Sequence, residues 1–177
     1  GCLALGTGAL SGADNVAIGQ SALSAATVAA DNVAIGNLAA DAGSGVFNCN
    51  IAIGKNSLSS LNTGGNNIAI GITALNAATT GVKNIAIGQL AMGTGVTIIG
   101  GGACGCDNIA IGKSAASAIT QGAKNIAIGT SAGATITTGS NNVAIGTNAA
   151  DALLANTGNI AIGINAYGAA SVGDYNI

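Results

Sequence analysis

Asn125-Ile126-Ala127-Ile128-Gly129 is followed 17 residues later by Asn142-Val143-Ala144-Ile145-Gly146, and 17 after that by Asn159-Ile160-Ala161-Ile162-Gly163. The same pentad, Asn-(Ile/Val)-Ala-Ile-Gly, begins nine times, at Asn15, Asn32, Asn50, Asn67, Asn84, Asn108, Asn125, Asn142 and Asn159. The period is 17 residues, apart from one gap of 18 between Asn32 and Asn50 and one of 24 between Asn84 and Asn108. Cys2-Leu3-Ala4-Leu5-Gly6 reads as a degenerate earlier copy, and Asn176-Ile177 as the start of a later one. Self-similarity at a fixed period marks a stacked repeat architecture.

Within the pentad the two β-branched residues stand at i and i+2, which in a strand puts them on one face. β-branched residues between Asn and Gly favour strand over helix. Seventeen residues are too few for a helical repeat but suit one coil with two short strands and two bends. Coils of this kind stack as parallel ladders about 4.8 Å apart. The expected fold is all-β, a parallel β-solenoid of about ten 17-residue coils. Residues 1–177 then form a single domain with a loop insertion around 93–107.

Each column of the repeat carries its own expectation. The β-branched pairs are expected as two interior columns: Val16 and Ile18, Val33 and Ile35, Ile51 and Ile53, Ile68 and Ile70, Ile85 and Ile87, Ile109 and Ile111, Ile126 and Ile128, Val143 and Ile145, Ile160 and Ile162. The nine pentad asparagines are expected to bond coil to coil as an amide ladder. The pentad glycines sit where the chain leaves the strand and needs positive φ. Three residues beyond each stands Ala or Ser, from Ala22 to Ala166, which implies a narrow coil or a neighbour pressed close. The opposite pentad face, made of Ala and Gly, is expected to meet a partner chain.

Composition removes most function classes. The chain has no histidine, so it has no Ser-His-Asp or Cys-His machinery and no imidazole ligand. Four lysines, no arginine and a net charge of −2 leave no electrostatic footprint for nucleic acid. Polar residues interrupt every apolar run before it reaches the length of a membrane span. The chain reads as a non-enzyme with no catalytic residue, no cofactor and no metal.

The irregular places have plain readings. Gly100 to Gly105 matches GxGxxG, but the strand Asn108-Ile109-Ala110-Ile111 follows where a dinucleotide fold needs a helix. Cys2, Cys49, Cys104 and Cys106 lack the paired spacing of a zinc site and are candidate disulfide formers in an extracellular protein. Asp14, Asp31, Lys83, Asp107 and Lys124 share the column before the pentad and read as exposed bend residues, with a cation between Asp14 and Asp31 as the alternative. Thr27, Thr79, Thr120 and Thr137 form one column and Thr63, Thr80, Thr97 and Thr138 the next. Adjacent columns face opposite ways, so they do not make the two-rank array of an ice-binding face.

The extended motif, as in Asn142-Val143-Ala144-Ile145-Gly146-Thr147-Asn148-Ala149, resembles the head repeats of trimeric autotransporter adhesins, the YadA-like family. It is also similar to Asn-x-Ala-Ile-Gly repeats of phage and giant-virus fibres. The likeness covers roughly half of each coil, and this period of 17 differs from the family's period of about 14. The resemblance implies a left-handed β-roll, side-by-side association of three chains and binding to surfaces or matrix, without catalysis.

Neither end reads as a polar cap, and uncapped coils invite axial pairing. Cys2, Leu3, Leu5, Tyr175, Asn176 and Ile177 are therefore expected at an end-to-end interface. The resulting expectation is an extracellular or cell-surface fibre or filament module that assembles with itself, head to tail or as a lateral trimer, with adhesion as an added role. An ice-binding solenoid and a virus or phage fibre shaft are the alternatives.

Overall fold

The computed structural model describes residues 12–41, 45–94, 105–168 and 173–177. Its strands, in chain order, are β1 (Val16–Ile18), β2 (Val28–Ala30), β3 (Val33–Ile35), β4 (Val46–Asn48), β5 (Ile51–Ile53), β6 (Gly64–Gly65), β7 (Ile68–Ile70), β8 (Ile85–Ile87), β9 (Ile109–Ile111), β10 (Ile126–Ile128), β11 (Val143–Ile145) and β12 (Ile160–Ile162). Among the described residues there is no helix.

The nine pentad strands form one sheet in the order β1-β3-β5-β7-β8-β9-β10-β11-β12, every neighbouring pair parallel. Pairing is in register, so like stacks on like: Ile126 on Val143, Ala127 on Ala144, Ile128 on Ile145. A second sheet, β2-β4-β6, lines another side of the first coils. This is a parallel β-solenoid. The seven extra residues between Gly88 and Asn108 leave the stack intact, because β8 pairs β9 directly, Ile85 opposite Ile109.

Backbone conformation repeats as faithfully as sequence. The pentad glycines have φ between 127° and 137°. They are also closely packed: a Cβ built on Gly129 would lie 2.6 Å from the carbonyl oxygen of Gly146 in the next coil. Glycine is needed here both for its φ and for the close approach.

Three further positions of each coil are left-handed without requiring glycine. In the coil of Gly71 they are Thr73, Leu75 and Lys83, with φ of 55°, 49° and 57°. Such residues are costly singly, and bonds to neighbouring coils hold them. The N–H of Thr73 donates to Lys55 O at 2.9 Å, that of Leu75 to Ala91 O at 2.9 Å, and that of Lys83 to Gly65 O at 3.0 Å.

The interior corrects the sequence-based assignment of faces. The pentad alanines, from Ala34 to Ala144, are fully buried, whereas the Ile/Val pairs expected inside are half-buried or exposed. Parity explains the reversal. Asn and Ala are two residues apart and share a face, and the Asn amide finds its partners only inside. The Ile/Val pair must then point out.

What fills the coil instead is alanine plus two columns four and seven residues past the pentad glycine. In several coils the two compensate one another, although the coil of Gly54 carries Leu58 and Leu61 together. Leu75 is paired with Ala78, whereas Ala116, Gly133 and Ala150 are paired with Ile119, Ile136 and Leu153, and all are buried. The small column three past the glycine is buried from Ala22 to Ala149, as a narrow coil requires.

Candidate functional site

Two features are built continuously along the rod: an internal ladder and an external face. The ladder is the asparagine column. Asn125 donates from its backbone N–H and from Nδ2 to Asn108 Oδ1, at 2.9 and 3.1 Å. Its second Nδ2 hydrogen goes to Gly139 O at 2.8 Å. Its own Oδ1 accepts from the N–H and Nδ2 of Asn142, at 3.0 and 3.1 Å. Both amide hydrogens and both acceptor sites are thereby used, which is what a fully buried amide demands.

The expected amide ladder is present, and Asn15, Asn32, Asn50, Asn67, Asn84, Asn108, Asn125, Asn142 and Asn159 all belong to it. Asn176 adds a further rung, donating to Asn159 Oδ1 at 2.9 and 3.0 Å. Side-chain bonds between coils supplement it, with Ser24 donating to Asp41 and Ser59 to Asn76.

The external face is the outward side of the nine-stranded sheet. Its two columns are Ile or Val at every rung, the residues expected inside. Val16 is 46% exposed, Ile18 57% and Ile162 66%, and the central members remain half open, Ile128 at 36%. Ile72 and Ile164, just past two pentad glycines, widen it. Nine strands at a spacing of about 4.8 Å make the apolar stripe about 40 Å long. Exposed lysines, aspartates and amides flank it, including Lys83, Asp107 and Lys124 before the pentad asparagines and Lys55 and Lys113 after the glycines. The Ala face, expected to meet a partner, is buried inside its own coil.

The cysteines divide. Cys49 is a free, exposed thiol, with no disulfide partner within the chain. Cys106 is buried and disulfide-bonded. Cys2 and Cys104 lie outside the described residues, as do Leu3, Leu5, Thr97 and most of the GxGxxG stretch. Of the expected end-to-end residues, Tyr175 and Ile177 are exposed and Asn176 is half-buried on the ladder. Asp14 and Asp31 occupy adjacent rungs, Asp31 N–H bonding Ala13 O at 3.1 Å. Among the described residues no group of three His, Cys, Asp or Glu side chains could hold a metal ion, no pocket opens between the coils, and no helix is long and apolar enough to cross a membrane.

Comparison with known families, curated proteins and solved structures finds no match for this chain.

Proposed function

We propose that the protein is a structural, non-catalytic module of an extracellular fibre or filament, in which copies associate side by side through the Ile/Val face. One observation carries this reading: a stripe of β-branched side chains continuous over nine strands stands on the outside of the coil. Monomeric soluble proteins rarely leave contiguous apolar patches of more than about a few hundred Å² open to water. A regular, flat, apolar sheet face is suited to sheet-on-sheet packing at about 10 Å.

The disulfide at Cys106 supports an oxidising location outside the cytosol. The resemblance to adhesin heads favours three chains around one axis, with attachment to a surface or matrix as the further role.

Electron microscopy of the purified chain, paired with sedimentation over a concentration series, tests this. Rods thicker than a single solenoid, with a mass that is a small multiple of one chain, are expected. A monomer at every concentration would remove the proposal.

A further inference from the structure

The Ile/Val face has a defect as an interface between copies: it is periodic. Sliding one copy past another by one coil, about 4.8 Å, sets β-branched side chains against β-branched side chains again. A uniform face specifies register weakly. Something aperiodic must fix it, and the flanking charges of the two long edges are aperiodic.

Resting on the proposed side-by-side association, we infer that this charge pattern keys the register, with Asp107 of one copy set against Lys113 of the next in parallel, unslipped rods. Any rotation axis along the rod brings the edge before the pentad asparagines against the edge after the glycines, at equal height. Asp107 and Lys113 belong to the same coil, one on each edge, and both are exposed. In register they attract, and Lys55 meets the neutral Cys49.

A slip of one coil in either direction sets Lys113 against a lysine, Lys83 one way and Lys124 the other. The slip that meets Lys83 also gains Lys55 against Asp31, which at best cancels the repulsion. Antiparallel rods with all nine strands overlapped set the middle strand β8 opposite itself, and Lys83 against Lys83. Like-charge juxtaposition suppresses wrong pairings more effectively than attraction rewards right ones.

Cys49 supplies a built-in reporter. A short bis-maleimide is applied to the full chain carrying K55C, N37C, I72C or K124C, with the wild type as the control for its other thiols. In register, only K55C places a second thiol at the height of Cys49 on the neighbouring edge, so K55C alone is expected to give a covalent band heavier than one chain. N37C and I72C report slips of one coil, and K124C reports the antiparallel arrangement.

Charge reversal is the companion measurement. D107K should raise the concentration needed for association by about tenfold, and D107K/K113D should restore it. K113D alone, whose carboxylate meets Lys83 or Lys124 on a slip of one coil, should still associate but with the Cys49 cross-link moved from K55C to N37C or I72C. With Asp107 and Lys113 both in place, a dominant cross-link from N37C, I72C or K124C, or no cross-link from K55C in an associated sample, overturns the inference while leaving association itself intact, as does no rescue by the double swap. A wild-type chain that never associates removes the underlying reading instead.

Discussion

Gly133 makes room for Ile136: a Cβ built on Gly133 would lie 2.9 Å from Ile136 Cδ1 and 3.5 Å from the Cβ of Ala127. The three residues belong to one coil, and its neighbours make the same exchange with Ala116 and Ile119 and with Ala150 and Leu153. The predicted consequence is energetic coupling. I136A leaves a cavity and should cost about 2–5 kcal/mol, and G133A overpacks and should cost about 1–3 kcal/mol. In an I136V background G133A should cost measurably less, because neighbours in contact are not additive. Denaturant unfolding of the wild type and the four variants checks it.

The amide ladder predicts a position-dependent cost. N125A removes a buried side chain and leaves Gly139 O, the backbone N–H of Asn142 and one of its two Nδ2 hydrogens without partners, the other still bonding Asn156 O. Each unsatisfied buried group costs about 1–3 kcal/mol, so midpoints should fall steeply. N15A, at a half-buried rung, should cost less. Thermal melts followed by circular dichroism compare the two directly.

Gly129 offers a sharper test of the backbone. G129A would put a Cβ 2.6 Å from the next coil's carbonyl at a φ of 132°. No flexible side chain can yield there, so G129A should lose about 4 kcal/mol or more and fail to refold cooperatively. A116G, at a φ of 46° in a column that already accepts Gly133, should be tolerated far better.

Much of this was legible in the pentad. Its spacing fixes a coil of 17 residues, and the matching columns of Asn, Gly and small residues follow from stacking alone. The faces are the exception: β-branched residues ordinarily signal core, and here they stand outside. The correcting signal was also in the sequence: Asn and Ala share parity, and an amide ladder is stable only where its amides are shielded from water. Volume exchange between pairs such as Gly133 and Ile136 emerges only once both are known to enter the same cavity. The left-handed backbone at Leu58 or Leu75 has no signature in residue type, because bonds to the adjacent coils select it. The disulfide state of Cys49 and Cys106 depends on three-dimensional approach, which spacing alone left open.

The outward Ile/Val face underlies the whole functional account, and one comparison addresses it. Wild type and I111K/I128K are taken to the same concentrations in an analytical ultracentrifuge, after their melting curves have been matched. Both side chains are exposed, so the substitutions should leave the fold intact while setting charges into the middle of the stripe. The account predicts an associated wild type and a monomeric, equally stable I111K/I128K. A double variant that unfolds would return the isoleucines to the core, and one that associates as the wild type does would show that this face is not where the copies meet.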